Sequence, residues 1–418
     1  MRIAIVGAGV SGLVCAHRLS AQHDVVVFEA EDRAGGHANT VHVETEHGAH
    51  DIDTGFIVFN DRNYPNFERL LDELGVRTQL SQMSFGVSDG ANFEYNGASA
   101  NGLFASRGHL VKPSFHRMIT DLVRFNRDAR ALLTTDGDPS LRDWLAARRY
   151  STYFVERLIV PQAAAVWSAD PAQMWSFPAR FLVEFFDNHG MLGFRARPRW
   201  RTITGGSRTY VQALTRPLGE RLRLATPVTE ITRHTDHVVV SSRGFESERF
   251  DAVVIATHSD QALALLGDAS DRERELLGAI PYQSNEAVLH TDRSLLPRRR
   301  RAWASWNYHL DEGASGHCTV TYHLNRLQAL QADREFCVTL NRGAAINPER
   351  IIQRIRYAHP VYTPAGVAAQ SRHYEISGHN RTHFCGAYWG WGFHEDGVAS
   401  ALRVVREIGA RRVQAVGV

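Results

Sequence analysis

Three glycines near the start of the chain, Gly7, Gly9 and Gly12, have the spacing used to bind phosphate groups. They follow the apolar run RIAIV and open a segment of helical periodicity, which predicts a strand, a tight turn and a helix. The free N–H groups at the start of such a helix favour a pyrophosphate. Glu29 ends the next apolar run, at the distance where a carboxylate meets ribose hydroxyls. The sequence therefore predicts a dinucleotide site.

A second glycine pair indicates which dinucleotide is bound. Residues 29–43 read EAEDRAGGHANTVHV, and residues 50–60 read HDIDTGFIVFN. The first stretch resembles the FAD-binding signature of the flavin-containing amine oxidoreductase superfamily, which includes amine oxidases, protoporphyrinogen oxidases and carotenoid desaturases, through Glu29, Arg33, Gly35 and Gly36. In that superfamily the glycine pair lies against the pyrophosphate, and a D-x-G element, here Asp53 and Gly55, shapes the flavin site. The resemblance implies an oxidoreductase with non-covalently bound FAD.

Two later segments extend the resemblance. Residues 226–242 alternate as two strands, and residues 250–266 follow as a buried strand and a helix. Residues 384–402 resemble the strand, loop and helix that close the superfamily's flavin domain. The complete set of cofactor contacts that the resemblance implies is Gly7, Gly9, Ser11, Gly12, Glu29, Ala30, Arg33, Gly35, Gly36, His37, Asp53, Thr54, Gly55, Phe56, Val228, Ala256, Thr257, Gly386, His394, Glu395, Asp396 and Val398.

Three positions depart from the superfamily pattern. His37 stands where many members have arginine, and Ala387 where many have an acid, for which Glu395 or Asp396 could substitute. Many amine oxidases also use a lysine joined through water to the flavin. Lys112, the chain's only lysine, precedes Pro113 in the wrong region for that role. The absence of any other lysine argues against ordinary amine-oxidase chemistry.

The amino-acid sequences of three further stretches indicate a substrate class. DTGFIVFNDRNYPNF, SNEAVLHTD and PRRRRAWASWNYHL resemble a bacterial subgroup that is similar to the oxidase-like domain fused to some plant cyclopropane fatty-acid synthases. This implies hydride transfer from a C–H or C–N bond of an apolar substrate, such as a fatty-acyl or phospholipid chain. Three alternatives stay open: a conventional amine oxidase, a flavin-dependent isomerase, and a non-turnover subunit that partners a lipid-modifying methyltransferase.

Composition limits the remaining classes. The chain has 418 residues, 44% of them hydrophobic, and a formal net charge of +2, which gives no argument for a nucleic-acid partner. Its four scattered cysteines predict neither a disulfide frame nor a metal site, and Cys385 is expected in the core. No apolar run is long enough to span a membrane. We expect a cytoplasmic protein, and Arg298–Arg301, flanked by tryptophans, could contact the inner face of a membrane.

The predicted fold class is α/β, with a Rossmann-type FAD domain and a second, α+β substrate domain of mixed sheet and helices. The FAD domain is assigned to 1–75, 200–275 and 375–418, and the substrate domain to 76–199 and 276–374. Within the latter, periodicity predicts a helix over 114–133 capped by Ser114, and Ser140 with Asp143 predicts a capping box. We also expect packed helices over 150–185, and strands over 284–290 and 317–324.

The sequence names candidates for catalysis without selecting one. His189 lies in a polar interruption between apolar segments, where it is either a base at a substrate pocket or a satisfied loop histidine. Trp389 and Trp391 are either an aromatic wall near the flavin or ordinary packing. Further pocket-lining candidates are Trp303, Trp306, Asn307 and His309.

Overall fold

The computed structural model describes residues 1–193, 197–310 and 316–416, with side chains to residue 410. Strands β1–β20 span Arg2–Val6, Asp24–Phe28, Thr40–Thr45, Gly48–Asp53, Phe59–Asn60, Thr78–Leu80, Phe85–Ser88, Glu94–Asn96, Trp200–Ile203, Leu222–Arg223, Val228–Arg233, Val238–Ser242, Glu248–Phe250, Ala252–Ile255, Tyr282–His290, Trp306–His309, Val320–His323, Cys337–Leu340, Ile351–Pro360 and Thr382–Phe384. Helices α1–α14 span Val10–Leu19, Pro65–Glu73, Ala100–Leu103, Pro113–Leu133, Leu141–Ala147, Thr152–Phe154, Val160–Trp167, Ala179–Asn188, Arg208–Thr215, Ser259–Leu265, Asp271–Gly278, Leu324–Leu327, Pro364–Gln370 and His394–Val416.

A five-stranded parallel sheet carries the glycine-rich turn. Its strand order is β10-β2-β1-β14-β20. The three central strands are almost entirely apolar because helices and a second small sheet cover both faces. In this register Val6 lies between Phe28 and Ile255, so the residues after them meet at one edge. This edge brings Gly7, Glu29 and Ala256 together, as the sequence predicts.

A second, seven-stranded sheet has the order β19-β15-β18-β17-β16-β7-β8. Only β16 and β7 pair in parallel within this sheet, and its other neighbours are antiparallel. Helices α4–α8 pack with it in the largest apolar core, so the predicted helices over 150–185 and the strands near 284–290 and 317–324 are confirmed. The predicted α/β fold class is also confirmed.

Local capping differs from the sequence prediction in two places. Helix α4 begins at Pro113 with Lys112 as N-cap, so the predicted cap at Ser114 is wrong, since proline is pre-organised for the first helical position. Ser140 does cap α5, because its Oγ accepts a hydrogen bond from Asp143 N at 3.1 Å. The reciprocal bond of the predicted box is replaced by one from Ser140 Oγ to Asp143 Oδ2, since aspartate is shorter than glutamate.

The domain bounds stay a prediction. The strands of the parallel sheet all fall within the ranges assigned to the FAD domain. However, β6, from the range 76–199, pairs with β9, from the range 200–275, so strand pairing crosses that bound. The assigned ranges also include 194–196, 311–315 and 417–418, which lie outside the described residues. Within the described chain, no helix has the length and apolarity needed to cross a bilayer.

Candidate functional site

A cavity of about 1940 Å³ extends from the edge of the parallel sheet to the seven-stranded sheet and its helices. This volume exceeds the roughly 300–1,000 Å³ of a typical small-molecule site. One part is bounded by the glycine loops at the ends of β1 and β2, and the other by apolar side chains of the second core. The cavity is therefore large enough for a cofactor and a second molecule.

The first glycine loop leaves its backbone open to the cavity. Gly7 has φ +103°, a conformation that favours glycine, and its N–H donates to Phe28 O at 2.8 Å. A Cβ on Gly9 would meet nothing within 4 Å, whereas a Cβ on Gly12 would lie 1.9 Å from Gly7 O. Gly12 thus permits the close approach of helix and turn, while Gly9 faces the free space.

Glu29 and the second glycine loop hold the first loop in place. The Glu29 carboxylate accepts hydrogen bonds from Ala8 N at 2.7 Å and from Glu31 N at 3.0 Å. Gly35 N donates to Ala8 O at 2.8 Å, and Arg33 donates to Gly36 O at 2.9 Å. The acid at the end of β2 therefore lines the cavity and also fixes the glycine loop that faces it.

Most of the predicted cofactor contacts line this cavity. They are Gly7, Gly9, Ser11, Glu29, Ala30, Arg33, Gly35, Gly36, His37, Thr54, Gly55, Phe56, Val228, Ala256, Thr257, Gly386 and His394. Five others, Gly12, Asp53, Glu395, Asp396 and Val398, lie outside the lining. Gly12 and Val398 are buried between α1 and α14, where they pack rather than face a ligand.

Asp53 ties structural elements together instead of facing the cavity. Its Oδ1 accepts hydrogen bonds from Thr40 Oγ1 at 2.6 Å and from Ser207 N at 2.9 Å. Its Oδ2 accepts from Gln328 Nε2 at 3.2 Å. Burial raises the pKa of Asp53 to about 6 against the lowering effect of these bonds. Asp53 does not line the cavity, and its bonds hold the segments of Thr40, Ser207 and Gln328 together behind the cavity wall, so its contact with a cofactor stays a prediction.

Glu395 and Asp396 cap helices and do not line the cavity, where an acid in place of Ala387 would be needed. The Glu395 carboxylate accepts hydrogen bonds from the backbone N–H groups of Asn66 and Phe67 at the start of α2. Asp396 accepts from Phe393 N at 2.9 Å at the start of α14, and burial raises its pKa to about 7. Both carboxylates are held away from the cavity by these bonds.

A cluster of neutral histidines faces the middle of the cavity. The His37 ring stacks on Tyr357, with centroids 4.9 Å apart, and lies 5.3 Å from the ring of His359 and 6.2 Å from that of His258. Burial and the neighbouring histidines lower the pKa of His37 well below 6.5, and burial lowers the pKa of His359 to about 4. The Nε2 atom of His37 is buried without a protein partner, so it can bond to a bound molecule.

His394 marks the N-terminus of α14 at the cavity wall. Its ring stacks on Phe56 with centroids 3.5 Å apart, and its Nε2 lies 3.0 Å from the Tyr210 hydroxyl. Burial lowers the pKa of His394 to about 3, so the ring is neutral at physiological pH. A neutral ring avoids placing a buried cation at this helix end.

The far part of the cavity is apolar and aromatic. Its lining comprises Ile57, Val58, Leu80, Met83, Phe85, Tyr95, Leu122, Leu158, Val166, Trp167, Phe185, Met191, Trp200, Trp306, Tyr322, Leu340, Ile355, Trp391 and Phe393. Among the described residues, the carboxylates that line the whole cavity are Glu29, Glu31 and Asp32, all at the end of β2. Among the residues that the structure describes, this apolar part is thus lined by arginine and histidine but by no carboxylate.

Two of the three catalytic candidates reach this apolar part. His189 follows α8 and lines the cavity, and Trp391 lines it as well. Trp389 does not, because the 3-10 turn Ala387–Trp389 directs its indole into the core, against His373 and Tyr388. Of the two readings that the sequence leaves open for Trp389, its contacts support ordinary packing.

The structure also places the remaining pocket-lining candidates and the single lysine. Trp306 lines the cavity, but Trp303, Asn307 and His309 do not; Asn307 bonds to backbone carbonyls and His309 bonds to Thr321. Lys112 does not line the cavity, and its ammonium group lies over the ring of Tyr153.

The arginine segment is partly committed to structure. Arg299 pairs with the buried carboxylate of Glu94 at 2.9 Å. Arg301 donates from Nε to Ala105 O at 2.8 Å. The sequence therefore overstated the freedom of Arg298–Arg301 to contact a membrane.

Several lining residues were not predicted. Tyr357 and His359 come from β19, whose sequence IIQRIRYAHP has few apolar alternations. Phe185 and Trp200 come from α8 and β9, which lie far from β19 in the chain. For this part of the cavity, the sequence offered one indication of a pocket, namely the polar turn at Asn188–Gly190 between apolar segments. Their convergence depends on tertiary packing.

The residues present fit a dinucleotide. The open Gly9 cradle, the acid at the end of β2 and the unpartnered His37 Nε2 offer backbone and side-chain groups to a phosphate-bearing ligand. None of the four cysteines lines the cavity, and Cys385 lies 3.8 Å from Cys15, sulfur to sulfur, in the core.

Comparisons with known proteins agree with this geometry. The profile of the family described as "Flavin containing amine oxidoreductase" matches residues 10–317. A Mycobacterium tuberculosis protein named "Putative flavin-containing monoamine oxidase AofH" is 28% identical over 264 residues, which cover 59% of this chain and 54% of that protein. The chain thus spans about half the length of this curated relative.

Two solved structures show the same fold. Cyclohexylamine oxidase from Brevibacterium oxydans superposes with a TM-score of 0.70 at 17% identity, covering 98% of this chain and 99% of that one. A CLA-producing fatty acid isomerase from P. acnes superposes with a TM-score of 0.68 at 16% identity, covering 97% and 98%.

Proposed function

Because this chain belongs to the flavin-containing amine oxidoreductase family, we propose that it is an FAD-dependent enzyme that oxidises a fatty-acyl chain. In the proposed reaction one C–H bond gives up a hydride, the adjacent carbon gives up a proton, and a C=C bond forms. FAD, when bound, supplies the hydride acceptor. The protein binds and orients the chain, excludes water and accepts the proton.

The cofactor would be held without a covalent bond. The glycine loops and Glu29 offer the pyrophosphate and ribose their contacts, and the buried Nε2 of His37 offers a further hydrogen-bonding group. The absence of any cysteine from the lining of the cavity supports non-covalent binding.

The observation that carries the proposal is the chemistry of the apolar part of the cavity. An ammonium group in such a site needs a carboxylate or an equivalent desolvated partner, since burying an unpaired charge is costly. The carboxylates that line the described cavity are confined to the end of β2. A hydrocarbon chain needs no such partner and gains about 25 cal/mol for each Å² of apolar surface that it buries.

Cations at one opening favour a substrate with an anionic head. Arg197 and Arg199 are exposed, line the cavity and flank Pro198 next to Trp200. A Cβ on Gly190 would lie 2.9 Å from Pro198 and 3.4 Å from the Arg62 guanidinium, which places a third arginine beside this opening. Carboxylate and phosphate groups are the natural partners of such arginines.

His189 is the proposed base. Its Nδ1 lies 2.9 Å from Phe185 O, which fixes Nδ1 as the protonated nitrogen and leaves the Nε2 lone pair for the cavity. Burial lowers the pKa of His189 to about 4, so the ring is neutral and able to accept a proton at physiological pH.

A conventional amine oxidase is the second candidate, because the curated relative and the first solved structure carry amine-oxidase names. Aromatic side chains at Trp391 and Phe393 could receive a cation by cation–π contact. This candidate predicts faster flavin reduction by amines than by acyl lipids.

The test is anaerobic reduction of the FAD-loaded protein by candidate substrates. The reduction is monitored as the loss of oxidised-flavin absorbance. Candidate substrates are a free fatty acid, a detergent-dispersed phosphatidylglycerol and a primary amine. We expect the acyl compounds to reduce the flavin, and we expect mass spectrometry to detect an alkene product.

Arg197→Glu with Arg199→Glu should raise KM for the anionic lipid and leave kcat near wild type. Arg216→Glu, an exposed arginine outside the cavity, is the matched control. Faster reduction by the amine overturns the proposal.

A further inference from the structure

We infer that the protein docks on an anionic phospholipid surface through a basic, apolar-tipped face beside the cavity mouth. This docking face consists of Arg107, Leu110, Val111, Lys112 and Arg117. It rests on the proposed function for its purpose, since an acyl-chain substrate resides in a membrane. Its existence is testable without any turnover.

The tip of the docking face is apolar and exposed. Leu110 and Val111 end the 3-10 helix Arg107–Val111, with 52% and 83% of their surfaces exposed. The ring of His109, just before them, is buried and stacks on Phe115 with centroids 4.1 Å apart. His116 also contacts Leu110 O at 2.9 Å. The turn is thus anchored from below while its two apolar side chains are presented to solvent.

Charge around this tip is strongly positive. Residues 95–133 contain six arginines or lysines and two aspartates, although the whole chain has a net charge of only +2. Asp121 and Asp128 are buried and pair with Arg117, Arg124 and Arg127, although Arg117 and Arg127 keep 55% and 77% of their side chains exposed. Six cations against two carboxylates leave this segment with a net positive charge. Apolar residues beside cations are the composition that binds the anionic face of a bilayer.

The arginine segment adds to the same surface. The bond from Arg301 Nε to Ala105 O places the segment against the start of the Arg107–Val111 turn. Arg300 is 83% exposed and lies over Trp303. Two basic stretches of the chain therefore meet at this surface.

The chain segments directly before and after the docking face line the cavity. The exposed residues Leu80, Gly97 and Ala98 line the cavity, so it reaches the surface there. Leu122 and Asn126 of α4 line it as well, and α4 begins directly after the apolar tip. At about 1.5 Å per helical residue, Leu122 is only about 15 Å along α4 from Lys112. An acyl chain leaving a bilayer at the tip would thus have a short path to the cavity.

The geometry favours a membrane over other occupants. Leu110 and Val111 form a protruding tip, whereas a helical peptide or an extended strand needs a groove or a free sheet edge. A protruding apolar tip with cations behind it suits insertion among headgroups. A second copy of this basic face would be repelled by like charge.

The experiment is co-sedimentation of FAD-loaded protein with vesicles of equal parts phosphatidylglycerol and phosphatidylcholine, or of phosphatidylcholine alone. We expect binding to the anionic vesicles, weakening as salt is raised, and at least tenfold weaker binding to the neutral ones. Leu110→Asp with Val111→Asp should weaken anionic binding at least tenfold. Phe245→Asp, at an apolar residue 59% exposed in the turn after β12, is the matched control and should bind as wild type.

A second measurement reports insertion directly. Val111→Cys can be labelled with an environment-sensitive fluorophore, because the four native cysteines are buried. Its emission should shift to the blue on adding anionic vesicles, and a label at Phe245→Cys should not shift.

Three results overturn the docking proposal. They are equal binding to neutral and anionic vesicles, equal loss in the Phe245→Asp control, and disruption of a dimer by the Leu110 and Val111 substitutions. Failure of the proposed function is separate: vesicle binding that depends on Val111, with no flavin reduction by any acyl lipid, keeps the docking face and removes the acyl-chain chemistry.

Discussion

The Nδ1 atom of His189 lies 2.9 Å from the carbonyl oxygen of Phe185, and the two rings stack with centroids 3.9 Å apart. Residue 185 belongs to the last turn of α8, so a helix end fixes both the tautomer and the plane of the imidazole. The Nε2 lone pair is then held at the cavity surface without the cost of ordering a flexible side chain. This pair turns a polar interruption in the sequence into a positioned base.

Replacing His189 with glutamine should remove the base and keep much of the ring's volume. We expect the rate constant of flavin reduction by an acyl lipid to fall about 10²–10⁴-fold, the contribution of a positioned base. The affinity for FAD should not change. Because the pKa of His189 is lowered to about 4, the wild-type rate should be flat at neutral pH and fall as pH drops through about 4. Stopped-flow absorbance over this pH range measures both effects.

The control for this prediction is a buried histidine outside the cavity. His290 has a similarly lowered pKa of about 4 and bonds to Thr339. In His290→Gln the acyl lipid should reduce the flavin at the wild-type rate. The rate should also still fall as pH drops through about 4. An unchanged rate in His189→Gln would show that the proton leaves by another route.

The two glycines of the first loop should respond to alanine in opposite ways. Gly9 has extended backbone and free space around its Cβ position, so Gly9→Ala should unfold like wild type but bind FAD at least tenfold more weakly. In Gly12→Ala the added Cβ would clash with Gly7 O, which should destabilise the fold by about 1–3 kcal/mol or more. Urea unfolding and FAD titration of both apoproteins separate the effects. Equal loss of stability in both variants would contradict this assignment.

Glu29 should support FAD binding mainly by accepting hydrogen bonds, and not by its negative charge alone. Glu29→Ala loses the acceptor for Ala8 N, a charged hydrogen bond of the kind worth about 1.5–3 kcal/mol, and should weaken FAD binding at least tenfold. Glu29→Gln retains one acceptor oxygen and should show a smaller loss. Glu44→Gln, at an exposed acid on β3, should leave the FAD dissociation constant unchanged, as measured by fluorescence titration.

The features predictable from sequence were those set by neighbours in the chain. The turn at Gly7 and the acid at the end of β2 follow from local periodicity and glycine conformation. The parallel sheet followed from its apolar runs. The resemblance to a known superfamily placed the second glycine loop beside the first.

The misassigned residues depend on where distant segments meet. Glu395 was expected at the cofactor because acids suit helix N-termini, and it does serve one, but that of α2 rather than a phosphate. Asp53 was expected at the flavin, yet Ser207 and Gln328 take its oxygens. Nothing local to these acids distinguishes a protein N–H from a ligand as the partner.

The buried histidines should make the protein sensitive to acid, and His309 offers the cleanest test because it lies outside the cavity. Burial lowers the pKa of His309 to about 3, whereas an unfolded histidine titrates near 6.5. Between these values the unfolded chain binds a proton that the folded chain does not, so stability rises with pH. One such group changes the free energy of unfolding by about 1.4 kcal/mol for each pH unit in this range.

His309→Gln can keep the bond to Thr321 Oγ1 but cannot titrate. Its free energy of unfolding, from urea denaturation of the apoprotein at pH 4 to 7, should therefore fall less steeply with acid than that of wild type. Parallel curves for the two proteins would mean that His309 is protonated when folded.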